Sequence, residues 1–389
     1  IDPFRSAMTG GYRVKDTTTE TWLEKARHDG QGGTGLYPNP PLSSSTTMSK
    51  ATPFSKTSLA IRIQGLGNKM RFSFNGTSVD STTSLADYNP SVALSDTKVY
   101  ELSVRVKVCV PNLLEQNCKQ YGSNYKPEGV LQEYSGRLRY GVIAYLNDSN
   151  VLRDGAVLRA SQKSIGPYQA NINNDVKITN PLKEWDVITG VLYTNPSPTD
   201  ASATSTQFGI TIQNSGVINA INKMGQLTTQ NYKSYDPVSE LYYSGLRYLR
   251  NQGNVSAYSS MSGSTTAKFN YADGFPVVTN WADPFQAYCQ ANAILGIGDI
   301  YSHRDRNLPG NTNSSYRTDE PSMPSEVSAD NINVLTLTNQ IGRLEGLGNI
   351  GSKNEFSGRY NSAHIAGLAW YANTRDIRPD LPHKQTIST

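Results

Sequence analysis

The sequence predicts an α/β fold from about residue 100 onward, a sheet with helices on both faces, preceded by a β-rich region at residues 9–99. Three observations predict it. Tyr140 to Leu146 and Ala293 to Ile300 are apolar runs, the pattern of strands covered on both faces. Helical spacings fall between and around them, which implies βα crossovers and a partly parallel sheet. Ahead of residue 100 the apolar residues alternate instead, as in strands with one wet face.

Ile1 to Met8 reads as the remnant of an expression tag, and the polar stretch to about residue 55 is weakly patterned. Leu59, Ile61 and Ile63, then Met70, Phe72 and Phe74, alternate around a Gly65–Asn68 turn and predict a hairpin. Tyr100, Leu102, Val104, Val106 and Val108 alternate with polar residues and predict one further strand. Val130 to Gly136 reads as helix and Val187 to Tyr193 as strand. Asn195 to Thr206, rich in Pro, Ser, Thr and Ala, reads as a surface loop. Val217, Ile218, Ile221 and Met224 are spaced for a helix. Asp236-Pro237 is a helix start, with Asp236 capping free N–H groups and Pro237 in the first position. Val238, Leu241, Tyr242 and Leu249 form its apolar stripe and Gly253 its stop. His303 to Ser328 reads as an exposed excursion. Asn361-Ser362 leads into a helix with Ile365, Leu368, Ala369 and Ala372 on one face, ended by Arg378 to Pro382.

Composition narrows the class. Only 37% of the 389 residues are hydrophobic, with 32 Gly, 20 Pro and 23 Tyr. The mean hydropathy is -0.50. This suits a loop-rich extracellular protein better than a compact helical enzyme. The net charge of +4 is spread over 36 basic and 32 acidic residues, with no basic stripe of the kind nucleic acid requires. No apolar run reaches the length of a membrane-spanning helix, and no signal peptide opens the sequence.

Cys109 and Cys118 enclose a short loop. A disulfide in an oxidising compartment is the favoured reading. Zinc is the alternative, but further Cys or His ligands at metal spacing do not appear. Cys289 then reads as a small buried core residue. None of His28, His303, His364 and His383 lies in a protease signature. Tyr271-Ala272-Asp273-Gly274-Phe275-Pro276 and Trp281-Ala282-Asp283 set carboxylates beside aromatics, as sugar-cleaving sites do. The plainer reading is turn residues flanked by core aromatics.

The stretch Cys109 to Asp154 resembles the PilC/PilY proteins of bacterial type IV pili. So do Tyr235 to Tyr243 with Gln252 to Val255, Ile294 to Asp299, and Asp376 to Pro382. The resemblance implies export through the periplasm to the pilus tip. It implies a von Willebrand A-like fold in this half of the protein, with a β-propeller in the half that would follow. It implies minor pilins and a host-cell receptor or surface ligand as partners, with roles in adhesion, pilus assembly and twitching. The function expected is therefore a non-enzymatic adhesin module without a cofactor. An exported carbohydrate-active hydrolase and a purely structural tip component are the alternatives.

A von Willebrand A domain holds a divalent cation on an Asp-x-Ser-x-Ser motif, a Thr and a further Asp. Asp299 matches the last position, and Asp236 lies about where the Thr would fall. The first motif is missing, because Cys109-Val110-Pro111-Asn112-Leu113 follows the strand ending at Val108. Asp80-Ser81-Thr82-Thr83-Ser84 is a near match outside the βα context. No working metal site is predicted there.

Overall fold

A computed structural model describes residues 2–27, 44–64, 68–79, 85–148, 153–170, 177–228, 233, 235–298, 302–311, 320–353 and 361–389. The chain forms two units, Ile1–Glu133 with Asp186–Leu192, and Tyr134–Trp185 with Tyr193–Thr389.

The first unit is built largely from short strands. Its elements are helix α1 (Asp2–Thr9), strands β1 (Arg13–Asp16) and β2 (Thr21–Glu24), helix α2 (Ser45–Ala51), and strands β3 (Leu59–Gln64), β4 (Lys69–Phe74), β5 (Leu85–Asp87), β6 (Val99–Ser103), β7 (Arg105–Val108), β8 (Cys118–Tyr121) and β9 (Asn124–Pro127), closed by α3 (Val130–Glu133). The aromatic alternation makes the expected β3–β4 hairpin, extended to a sheet in the order β3-β4-β6-β5. Its buried Leu59, Phe72, Phe74 and Tyr100 form a cluster with Met48 of α2. Phe54 stacks on Phe72 at 5.6 Å and meets Phe74 edge-on at 5.3 Å. Such pairs add to plain area burial.

The single strand expected across Tyr100 to Val108 is two strands in two sheets. Strand β6 pairs with β4, whereas β7 pairs with β2. Val104 is the handover: its N–H donates to the Asn68 carbonyl, and its carbonyl accepts from Lys25 N–H. Asp2 to Thr9, in the stretch readable as a tag, is a helix with Arg5 and Thr9 buried. Val187 to Tyr193 is a turn, not a strand. Asp186 Oδ1 accepts from Ile188 N (3.0 Å), Thr189 N (2.8 Å) and Thr189 Oγ1 (2.9 Å), which closes the chain on itself and leaves Ile188 73% exposed. Gly190 sits at φ +69°, where a Cβ would strike the Tyr121 and Lys126 side chains.

The second unit carries strands β10 (Tyr140–Ala144), β11 (Val157–Lys163), β12 (Tyr168–Ala170) and β13 (Lys177–Thr179), then helices α4 (Pro198–Phe208), α5 (Val217–Lys223), α6 (Val238–Leu249), α7 (Ser256–Ser259) and α8 (Thr265–Ala272). Strand β14 (Asn292–Ala293), helices α9 (Ser325–Ser328), α10 (Val334–Leu344) and α11 (His364–Thr374), and β15 (Ile387–Ser388) complete it. Its main core joins Tyr243 and Leu246 of α6, Val334 and Leu337 of α10, and Leu368 and Ala372 of α11. Helices α10 and α11 meet at Gly367, where a Cβ would lie 2.5 Å from Thr338 Oγ1. Only glycine permits that approach.

Here too the local pattern misleads in places. Strand β10 pairs antiparallel with β11, with two register irregularities, and Gly141 within it is exposed. Among the described residues β11 is its one strand neighbour, so β10 lies at a sheet edge, and of its residues only Ala144 is buried. The apolar run from Ala293 is strand only at Asn292–Ala293, paired parallel with β15; Leu295 is 69% exposed and residues 299–301 lie outside the described residues. Asn195 to Thr206 is mostly helix α4, because Pro198 opens it and Gly209 ends it in the left-handed conformation. Ser302 to Asn311, expected to be solvated, is mostly buried. No described helix is long and apolar enough to cross a membrane.

Candidate functional site

Helix α6 begins without a side-chain cap of its own, since Pro237 occupies the cap position. The sequence assigns the cap to Asp236; the structure assigns it to Asp305, more than sixty positions away. Asp305 Oδ1 accepts from Ser239 N at 2.6 Å and Glu240 N at 3.3 Å, and Oδ2 accepts from Ser239 Oγ at 2.5 Å. Ser362 Oγ lies 3.0 Å from the same Oδ2, and Ser239 Oγ accepts from Ile365 N at 2.9 Å. One carboxylate thus ties the first turns of α6 and α11 together, at the positive end of the α6 dipole. Asp236 instead lies 3.1 Å from His303 Nδ1, with 30% of its side chain exposed.

Behind this cap sits a group of acids. Glu240 is fully buried; its Oε2 accepts from Gly155 N at 2.9 Å and its Oε1 from Asn307 N at 3.0 Å. The Asn307 amide donates in turn to Asp154. Glu320 Oε1 accepts from Arg306 N at 3.1 Å. Asp148 pairs with Arg153 at 3.1 Å. Lys233 Nζ donates to the Arg153 carbonyl at 2.7 Å and lies over the Tyr145 ring. Burial holds the Lys233 ammonium down to about 8, against the pull of Glu240, Asp154 and Asp148.

Burial, and then the charges of Asp154, Glu320 and Asp305, push the Glu240 carboxyl well above the usual range. Burial also pushes Asp305 up to about 7, although the donors of Ser239 and Ser362 pull the other way. Both groups therefore hold a proton more tightly folded than unfolded. The contribution of Asp305 to stability is complete below the ordinary carboxylate value of 3.8 and is lost as pH rises through about 7, and that of Glu240 is also lost as pH rises. The urea midpoint should fall across that window, and Asp305→Asn should flatten the fall. A midpoint that rises across it would refute this linkage.

The remaining sequence candidates resolve as follows. Cys109 and Cys118 are joined in a disulfide with Cα atoms 5.6 Å apart. Glu115 Oε2 accepts from Cys109 N at 2.8 Å within the same loop. Among the described residues, the only close set of three metal-type ligands is Cys109, Glu115 and Cys118. Its sulfurs are already bonded to each other, so the thiolates zinc needs are consumed. Cys289 is exposed, which corrects the expected core position: its segment carries no regular element to bury it. His364 is buried beside Thr338 Oγ1, and burial with the Arg306 charge holds it down to about 3, a neutral ring. Asp273 accepts from Gly225 N and Thr228 Oγ1, and Asp283 is held by both Arg378 nitrogens at 2.8 Å. These are structural engagements of the carboxylates named for sugar cleavage. Asp299, Asp80 to Ser84 and His28 lie outside the described residues. Asp154, Glu240 and Asp305 carried no local signal of a shared site: Asp154 precedes a glycine in an apolar stretch, Glu240 lies in the first turn of an amphipathic helix, and Asp305 stands in the stretch that reads as an exposed excursion.

A family model described as PilY1 homolog, second domain, matches residues 153–379. Two curated relatives come from Xylella fastidiosa (strain Temecula1), each titled type IV pilus biogenesis factor PilY1 homolog. One is 47% identical over 408 residues, covering 100% of this chain and 33% of the relative. The other is 23% identical over 453 residues, covering 99% of this chain and 28% of the relative. The chain thus spans a third or less of the length of these relatives. No solved structure matches. The family model covers more than half of the chain and includes Glu240, Asp305 and His364, and with the 47% identity along the whole chain it shows that this chain belongs to the PilY1 family.

Proposed function

We propose that this chain is the adhesive, non-enzymatic part of an exported type IV pilus biogenesis factor. The observation that carries the reading is the 47% identity, along the whole chain, to a relative titled as such a factor. The joined Cys109–Cys118 pair supports it, because disulfides persist outside the reducing cytoplasm. On this reading the protein passes the periplasm and works at the pilus tip with minor pilins, and its polar loops meet a host-cell receptor or a surface. The von Willebrand A-like arrangement of residues 100–389 belongs to the same proposal and rests on the family resemblance. An experimental structure of the chain tests that part.

Deleting this segment from the whole protein should lower attachment per pilus more than it lowers pilus number. Counting pili by microscopy beside an attachment assay separates the two. Lost pili with unchanged attachment per remaining pilus would make the segment a structural tip component instead.

A further inference from the structure

We propose that Lys56 and Asn75 become joined by a side-chain amide bond, with Asp96 as the acid–base group that moves the protons between them. The three side chains meet at the open end of the β3–β4 hairpin. Lys56 stands just before β3, and Asn75 directly follows β4. Asp96 comes from the segment that leads into β6.

The geometry places each group where the chemistry needs it. Lys56 Nζ lies 2.5 Å from Asp96 Oδ1, and Asn75 Nδ2 donates to Asp96 Oδ2 at 2.6 Å. One carboxylate therefore spans the amine and the amide nitrogen. Asn75 Oδ1 accepts from Thr57 N at 3.2 Å and from Thr57 Oγ1 at 2.5 Å. Two donors on that oxygen polarise the amide carbon, and they are aimed where negative charge forms when the carbon is attacked. Lys56 Nζ also donates to the Leu94 carbonyl at 3.1 Å and lies 5.6 Å from the centre of the Phe74 ring. A plain surface ion pair needs only Lys56 and Asp96. The amide on the second carboxylate oxygen and the paired donors on its carbonyl are additional parts.

The Lys56 contact, above all, draws the Asp96 carboxyl below the usual range, so the resting pair is charged. The step starts when the ammonium passes a proton to Asp96. The freed Nζ lone pair attacks Asn75 Cγ, and the carbonyl π electrons move onto Oδ1, between the Thr57 donors. Asp96 gives its proton to Nδ2. The Cγ–Nδ2 bond then breaks as the carbonyl re-forms, and a second proton from Nζ follows the departing nitrogen. An alkylammonium and a carboxamide are consumed; a secondary amide and one ammonium ion are produced. Nothing is oxidised or reduced, and no co-reactant enters. Holding both groups on one carboxylate makes the step effectively unimolecular. The Lys56 side chain is 23% exposed and that of Asp96 43%, so water competes for both charges and the bond accumulates as the protein ages.

The test uses the whole chain, purified, aged at neutral pH and analysed by mass spectrometry, intact and after trypsin. The expected product is lighter by one ammonia, resists cleavage after Lys56 and yields a branched peptide joining Lys56 to Asn75. Asp96→Asn, which keeps the shape of the side chain, should slow its formation by about a hundredfold or more, the usual worth of a positioned general acid–base group. Lys56→Arg should abolish the branched peptide and supplies the comparison if Asp96→Asn does not fold. Ring closure of Asn75 onto the Gly76 nitrogen also loses ammonia, but it leaves cleavage after Lys56 intact and persists in Lys56→Arg; that result overturns the proposal. So does an aged chain without the branched peptide, or one that forms as fast in Asp96→Asn as in the native protein.

Discussion

Asp305→Ala is expected to lower the unfolding free energy of the helix-rich unit by about 3–5 kcal/mol, the combined effect of a lost helix cap and of buried donors left without acceptors. The substitution strips the acceptor from Ser239 N, Glu240 N and Ser239 Oγ, and leaves Ser362 without one of its contacts. Those donors lie in a buried seam, so water does not replace the carboxylate. Asp236→Ala, at the residue that sequence alone favours as the cap, should cost no more than about 1 kcal/mol, as for a partly exposed ion pair. Urea unfolding of the two variants, followed by circular dichroism, compares them directly. Equal losses would mean that Asp305 does not hold the two helix starts together.

Breaking the Cys109–Cys118 bond by serine at both positions should destabilise the strand-rich unit by about 2–4 kcal/mol. The bond closes a short loop, with a sequence separation of 9, between the end of β7 and the start of β8. Without it the unfolded chain regains the freedom of that loop. The native unit would also lose the anchor that sets the β8–β9 hairpin beside its neighbours. Thermal melts with and without reductant should reproduce the variant's shift in the native protein. A doubly substituted chain that melts with the oxidised protein would dismiss a stabilising role.

Legibility in the sequence followed the range of the interaction. The β3–β4 hairpin was readable because both strands carry their own alternation and lie side by side in sequence. Helices α5, α6 and α11 were readable because their apolar spacing is local. Strand β7 was not separable from β6, because the partner that claims it, β2, lies some eighty positions earlier. Helix α4 was hidden by its composition: its small polar residues mimic a loop, and its signals are the Pro198 start and the Gly209 stop. The disulfide was visible as a close pair of cysteines. The buried acids were not, since Asp154, Glu240 and Asp305 become neighbours only through the fold.

The Asp186–Leu192 turn has a consequence for the order in which the protein is made. Arg13 donates to the Gly190 carbonyl at 2.9 Å, and Asp16 accepts from Leu192 N at 3.0 Å and from the buried Lys126 ammonium at 2.7 Å. The polar centre of the strand-rich unit is therefore complete only when residue 192 is present. A chain emerging N-terminus first holds that unit unfinished for some sixty residues after Glu133, including the whole β10–β11 pair. During that interval Arg13 and Asp16 lack partners they require when buried, so a fragment ending at Glu133 is expected to stay open to proteases until the later segment arrives.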